Sequence, residues 1–471
     1  MADMLIDGKQ VSSSKLMEVR SPYDGTVIDT VPVADPSHVE TALAAAVKAA
    51  EVMRQTTGYQ RSQWLRKAAS LLASRVEEFA QIISKEEGKI LAESRAEVAR
   101  AAETLDLSAD EAKRIAGEQI PLDGSSTGGT RIGFTIRVPC GVVIAITPFN
   151  FPLNLVSHKL GPAIAGGNAV ILKPATNTPL SALKLATLLH EAGVPPIAVQ
   201  VITGAGSELG KSLCSDPRVR KISFTGSQAV GESICRAAGV KLVTMELGSN
   251  APLIVMDDAD LEQVATATVA TGYSNAGQVC ISTQRVLVSQ SVVPDFLEIL
   301  RPKVEALRVG NPLSESTNVG PMIRTTDAER VSSWIDEAVH QGAKLVTGSS
   351  RDRALVQPTV LANVSPDMKV AREELFGPAV AVLSFNDIDE AIAQANDTRY
   401  GLAAGIFTRD IGRAMRFIRE VHSGNLHINW GPQWRADLMP YGGLKDSGLG
   451  KEGPHYAVRE MTEEKMVVIH N

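Results

Sequence analysis

A cysteine set among small polar residues is a candidate nucleophile, and the stretch NAGQVCISTQR, residues 275–285, offers one at Cys280. A cysteine kept for packing usually sits among Leu, Ile and Val, because the un-ionised thiol behaves as a small hydrophobe. Cys280 is flanked instead by Asn275, Gly277, Gln278, Ser282 and Thr283, which offer hydrogen bonds and leave room for a ligand. A nucleophile also needs a base and a means of holding developing charge. Glu246, in TMELGSN, ends an apolar strand before a glycine, where a carboxylate is either a cap or a general base with an altered pKa. Asn150, in ITPFNFPLN, lies between two aromatics and two prolines. A rigid turn of that kind is either structural or presents its amide to an oxyanion.

Two further segments could hold a ligand. Lys173, in ILKPATNTPLSA, closes a buried strand at the edge where open α/β sheets bind ligands, or is a plain surface lysine. FTGSQAVGES, residues 224–233, follows a strand and opens a helix, where backbone N–H groups can hold a phosphate. It lacks the GxGxxG dinucleotide fingerprint, and Glu232 stands where a phosphate loop requires lysine, which argues against an NTPase. An ordinary capped helix start and a less common anion cradle, with Gly226 for close approach and Ser227 as cap, both remain.

The elements that must position these residues change texture along the chain. Residues 37–117 carry apolar residues at helical spacing with charged faces. DGSSTGGT is a turn-rich break, and RIGFTIRVPCG reads as a strand. From GVVIAITP onward, short β-branched runs alternate with helices expected over 179–193, 206–214 and 227–238, the pattern of a parallel sheet covered on both faces. The rhythm resumes after Pro252, giving a second α/β lobe. EEKMVVIHN is a lone late strand of the kind that pairs with another subunit or a distant hairpin, and it is expected to pair with RIGFTIRVP across subunits.

With 471 residues, 44% of them hydrophobic, 38 Gly and 24 Pro, the chain is globular and long enough for two or three domains. A net charge of −6 without basic runs argues against nucleic acid. No apolar run approaches the roughly 18 residues that cross a bilayer, and the N-terminal stretch lacks the apolar core of a signal peptide. Cys140, Cys214, Cys235 and Cys280 are scattered, so neither disulfides nor a metal site is indicated and a reducing cytoplasm is expected.

Taken together and in order, FNFP, GGNAVILKPA, FTGS, MELG, GQVC, EELFGP and PYGGLKDSGLGKEG make the sequence resemble the aldehyde dehydrogenase superfamily over essentially its whole length. The resemblance implies two doubly wound α/β lobes and a small β arm. These are a Rossmann-like cofactor domain (residues 1–122 and 141–247), a catalytic domain (248–452) and an oligomerisation arm (123–140 and 453–471). It implies a homodimer or homotetramer acting on a small-molecule aldehyde. It makes Cys280 the nucleophile that forms a thiohemiacetal, Asn150 and the Cys280 N–H the oxyanion donors, and Glu246 the base for thioester hydrolysis. Glu452, in GKEG, matches a second carboxylate used in proton relay.

For the cofactor, NADP or NAD, the resemblance implies Lys173 at the adenosine ribose, Gly226 and Ser227 at the pyrophosphate, and Glu374 and Phe376 at the nicotinamide ribose. Ile146, Thr147, Pro148 and Phe149 after the first buried strand, with Gly206, Gly231 and Leu247, complete that set. Two departures carry information. Strictly NAD-dependent members usually place Glu three residues after the ribose lysine; Thr176 stands there, so NADP should be accepted or preferred. Arg435, His158 and Arg100 fall at tunnel positions that are aromatic or apolar in relatives acting on uncharged aldehydes. Three cationic or potentially cationic groups there imply a substrate with an anionic tail, which the fork of donors on Arg suits. Succinic semialdehyde, sulfo- or phosphono-aldehydes and lactaldehyde-like compounds fit, with Arg435 expected at the tunnel's outer end. The alternatives are a CoA-acylating semialdehyde dehydrogenase and a non-catalytic protein on the same fold.

Overall fold

The computed structural model describes residues 2–470; Met1 and Asn471, the ends of the expected first and last segments, lie outside them. The first of two large sheets has eight strands. Its five central members, Val199–Val201, Ala169–Lys173, Val142–Ile146, Val219–Thr225 and Leu242–Glu246, lie side by side in that order and run parallel. Every residue of Val142–Ile146 and Ala169–Lys173 is buried, which is why these strands read as continuous apolar runs. Alternate side chains go to opposite faces. Val143, Ala145, Val170 and Leu172 pack with helices Gly58–Ala73 and Leu91–Glu111, whereas Ile144, Ile146 and Ile171 pack with helix Pro36–Arg54.

Parallel register sets the site. Ile146 lies opposite Lys173 and Phe224, and Thr225 lies opposite Glu246. The C-terminal ends of four strands therefore share one edge, where the loop to Asn150, Lys173, the Gly226–Ser227 turn and Glu246 all emerge. Helices Leu180–Ala192, Gly206–Ser215 and Gln228–Ala238 match the three expected from the sequence to within a residue at each end.

The second sheet has seven strands, and six of them, from Thr359–Ala362 to Asn425–Ile428, are parallel. Its core is built on Leu253, Val286, Leu287, Val380 and Val382. The chain then returns to the first sheet: Gly448–Leu449 pairs antiparallel with the end of Leu242–Glu246, Glu246 facing Gly448. The boundary expected at residue 452 thus falls past the point of return, and helix Pro454–Glu460 packs on the first lobe rather than joining the arm.

The arm is a three-stranded sheet of Thr462–Ile469, Ile132–Pro139 and Gln119–Ile120. The expectation that the two strand-like ends pair across subunits is corrected here. They pair with each other inside one chain over eight residues, from Thr462 opposite Pro139 to Ile469 opposite Ile132. The 123–140 segment folds back close enough that no partner is needed to satisfy this ladder. The outer edge of Thr462–Ile469 stays open, with Met466, Val468 and Ile469 exposed. Among the described residues, no helix is long and apolar enough to cross a membrane, and no group of three or more His, Cys, Asp or Glu side chains could hold a metal ion.

Candidate active site

The two lobes enclose a cleft of about 1450 Å³ that Cys280, Glu246, Asn150 and Glu452 all line. Cys280 follows a strained turn. Asn275, Ala276 and Gly277 take left-handed φ values of 50°, 52° and 70° in succession. A Cβ on Gly277 would lie 2.0 Å from the Gly377 carbonyl oxygen, so only glycine fits. Left-handed Asn and Ala persist only where surrounding contacts fix them, and they do here. The Asn275 N–H donates to Glu93 at 3.1 Å, and its side-chain amide donates to Glu87 at 3.0 Å and to the Asn150 carbonyl at 3.2 Å.

Asn150 is held as firmly. Its amide donates to the Gln278 carbonyl at 2.8 Å, two residues before the nucleophile, while its own carbonyl accepts from Lys89 at 2.6 Å. Lys89 forms a fully buried ion pair with Glu97, whose other oxygen accepts the Leu153 and Asn154 N–H groups at 2.9 and 3.1 Å. Helix Asn154–Ala165, which has no side-chain cap of its own at Leu153, is capped by this distant carboxylate. The second N–H of the Asn150 amide remains to face a ligand.

The Cys280 thiol is pushed up to about 12, chiefly by burial, with the nearby carboxylates Glu246 and Glu374 adding to the rise and the Tyr441 hydroxyl opposing it. That hydroxyl lies 3.2 Å from Sγ. Cys280 therefore rests as a thiol, and attack by its sulfur requires a base. Glu246 is buried, and neither of its carboxylate oxygens has a hydrogen-bond partner. Burial and the neighbouring Glu452 raise its pKa well above the usual carboxylate range. Glu452 goes the other way. Burial alone would raise it, but Lys159 at 3.0 Å and Arg435 at 3.2 Å hold it down to about 2. Two carboxylates with opposed pKa shifts in one cavity divide the acid–base work between them.

The three expected anion-binding groups form a chain. Arg100 makes a two-pronged ion pair with Asp437 at 2.8 and 3.0 Å, and His158 meets the same carboxylate at 2.8 Å. Arg435 reaches His158, pairs with Glu452 and lies over the Tyr441 ring at 4.0 Å. Two expectations need correction. His158 is not cationic: burial and Arg435 lower its pKa to about 4, and it sits behind Arg435 rather than on the cleft. Arg435 is not at an outer end; through the Tyr441 ring it sits one side chain away from Cys280. Its Nε has no hydrogen-bond partner although it is buried.

On the cofactor side, Thr147, Pro148, Phe149, Lys173, Thr176, Gly206, Gly226, Ser227, Leu247, Glu374 and Phe376 all line the cleft. Ile146 and Gly231 do not. Ile146 belongs to the core, and a Cβ on Gly231 would strike the Leu247 side chain, so its glycine serves helix–strand packing. Ser227 takes the N-cap position of helix Gln228–Ala238, yet its side chain makes no capping bond, which leaves that helix start open to an anion. Burial lowers Lys173 to about 8, and its ammonium donates to the Pro174 carbonyl beside Gly206. The Thr176 hydroxyl donates to the Gly204 carbonyl at 3.3 Å. Glu374 is raised to about 7 by burial and accepts the Ser249 N–H at 2.9 Å, while Phe376 meets Phe149 edge-on at 5.9 Å. An open helix start, a neutral threonine and a lysine on one rim fit a dinucleotide.

Sequence reasoning missed Lys89, Glu97, Lys159 and Asp437, which read as ordinary charged residues of helices or loops. Tyr441 lay in the quoted PYGG run, but nothing local pointed it at Cys280.

Comparison with known proteins agrees with this architecture. The aldehyde dehydrogenase family model matches residues 9–467, and the chain belongs to that family. The 3-sulfolactaldehyde dehydrogenase of Priestia aryabhattai is 49% identical over 467 residues, covering 99% of this chain and 98% of that protein. Among solved structures, aldehyde dehydrogenase 21 from Physcomitrella patens, in complex with the reaction product succinate, superposes with a TM-score of 0.97 at 39% identity, over 100% of this chain and 98% of that one. The NADP-dependent glyceraldehyde-3-phosphate dehydrogenase of Bacillus halodurans C-125, complexed with NADP, gives 0.97 at 36% identity over 99% of both chains. Aldehyde oxidation is the chemistry of the family.

Proposed function

We propose that this protein oxidises a short aldehyde bearing an anionic tail to the carboxylic acid, with NADP or NAD as acceptor. The observation that carries the reading is Arg435. It is a largely buried guanidinium on the wall of a cleft wide enough for an aldehyde and a dinucleotide, separated from Cys280 only by the Tyr441 ring. A carboxylate, sulfonate or phosphate complements that charge, and a neutral aldehyde does not. Sulfolactaldehyde, succinate and glyceraldehyde 3-phosphate, named for the similar proteins, are all short and anionic or give anionic products.

Glu246 takes the proton of Cys280, and Sγ attacks the aldehyde carbon. The oxygen that becomes negative is held by the free N–H of the Asn150 amide and by the Cys280 backbone N–H, each worth roughly 3 kcal/mol. When bound along Lys173, Thr176, Gly206 and Ser227, the dinucleotide supplies the two-electron acceptor. Once Glu246 has given the thiol proton up to solvent in the cleft, the acyl group on Cys280 is released by water whose proton goes to Glu246, neither of whose oxygens has a partner in the protein. Glu452, kept ionised by Lys159 and Arg435, does not take that proton itself; its charge beside Glu246 makes Glu246 the stronger base. Thr176 presents no charge to repel a 2′-phosphate, so NADP is accepted or preferred. The free edge of Thr462–Ile469, the outer strand of the proposed oligomerisation arm, supports a homodimer or homotetramer. Four free cysteines suit a reducing cytoplasm.

Turnover of a panel of aldehydes, followed as NADPH formation, tests the reading. Sulfolactaldehyde and succinic semialdehyde should exceed propanal in kcat/KM by about 100-fold or more. Propanal as the best substrate overturns it.

A further inference from the structure

The mechanism above leaves one group unused, the Tyr441 hydroxyl, buried and 3.2 Å from Cys280 Sγ. We propose that Tyr441 is a catalytic residue: its hydroxyl donates a hydrogen bond to the charged sulfur of Cys280, and Arg435, lying over the face of the ring, strengthens that donor. The proposal rests on Cys280 being the nucleophile of the reading above.

Three observations support it. While the sulfur carries its proton, either atom can donate; once Glu246 has taken that proton, only the phenol O–H can. The phenol also keeps its own proton, because burial and the adjacent sulfur push its pKa well above 10. It is therefore a donor and not a second base. The Arg435 guanidinium lies 4.0 Å from the ring centroid, where a cation withdraws electron density from the π system and makes the O–H more acidic. Of the charged groups that act on Sγ, the carboxylates Glu246 and Glu374 disfavour a thiolate, while Arg435 favours one from beyond the ring. With burial and two carboxylates raising the cost of a negative sulfur, the hydroxyl in direct contact is the larger of the two groups that offset it. Val279, Ile281 and Leu402 pack with Tyr441, so the ring is fixed rather than free to swing away.

The test is the rate of Cys280 alkylation by iodoacetamide as a function of pH, read on the Cys280 peptide by mass spectrometry so that Cys140, Cys214 and Cys235 do not contribute. Losing a hydrogen bond to a charged group lowers the thiolate fraction at fixed pH by about 10- to 100-fold. The more basic sulfur recovers about half of that on a logarithmic scale. Tyr441→Phe should therefore be alkylated about three- to tenfold more slowly than wild type, with the whole pH profile displaced to higher pH. A ring that only fills space would leave the rate unchanged or, by loosening the pocket, raise it; either result overturns the proposal. Should Tyr441→Phe not fold, 3-fluorotyrosine placed at 441 keeps the shape and makes the phenol a stronger donor. Alkylation must then speed up, and an unchanged rate overturns the proposal. Because alkylation needs no aldehyde, the outcome stands apart from whether anionic aldehydes are turned over.

Discussion

Glu246 and Glu452 share one cavity and differ in every respect that governs a proton. Glu246 has two unpartnered oxygens and a pKa pushed far up; Glu452 has Lys159 and Arg435 and is held at about 2. The side of the cleft around Glu246 and Cys280 is kept short of partners, which leaves its groups reactive. The side around Glu452, Arg435, His158 and Asp437 is saturated with ion pairs, Arg435 Nε itself lying 3.9 Å from Asp437. A buried pair stabilises little on its own because desolvation offsets its attraction. Its use here is to hold a guanidinium in place for a ligand. Under the proposed function, the unpaired region performs the chemistry and the paired region selects what enters.

If that division holds, removing groups on the open side should abolish turnover, and removing groups on the paired side should change preference. Cys280→Ala has the largest expected effect. Turnover should fall on the order of 10⁴-fold or more while nucleotide binding, measured by fluorescence titration, persists. Glu246→Gln comes next, with acyl release slowed about 10²- to 10⁴-fold and an acyl adduct on Cys280 visible by mass spectrometry. Normal turnover without adduct breaks the assignment of the open side. The pH profile sharpens it. Glu246 works as a base only when deprotonated and its pKa is raised, so wild-type kcat/KM should fall as pH drops through a value above the ordinary 4.5. Glu452, at about 2, stays ionised throughout and adds no limb there. Thr176→Glu, on the cofactor rim, has the smallest effect. The kcat/KM ratio of NADP to NAD should shift toward NAD by about tenfold or more, since a carboxylate repels a 2′-phosphate. An unchanged ratio would place the ribose elsewhere.

The open side was legible in the sequence because the chemistry proposed for it uses particular residue types at strand ends. Cys280, Glu246 and Asn150 each stand in a short quotable run, and continuous β-branched stretches announce the parallel strands that bring those ends to one edge. The paired side was not legible. Whether His158 carries charge depends on Arg435 and Asp437, each more than 270 residues away in the chain. Nothing local marks Lys89, in the loop between two helices, or Glu97, on the second of them, and only tertiary packing makes them a buried pair under the Asn150 loop. Ser227 was read at the correct position, but the absence of its capping bond is a matter of side-chain direction that no local pattern encodes. The arm strands were found, and their partner was misassigned because β pairing carries no local signal of which chain supplies the other strand.

The most direct test of the division between the two sides is Arg435→Leu, assayed with an anionic aldehyde and with propanal. Losing one member of a buried charge contact costs roughly 2–5 kcal/mol, or about 30- to 3,000-fold in kcat/KM. Glu452 retains Lys159, so part of the acid–base machinery survives. The anionic aldehyde should lose that full factor and propanal about tenfold less or better, lowering the anionic-to-neutral preference. Equal losses for both substrates would contradict the account, because Arg435 would then serve only the catalytic centre and not the choice of substrate.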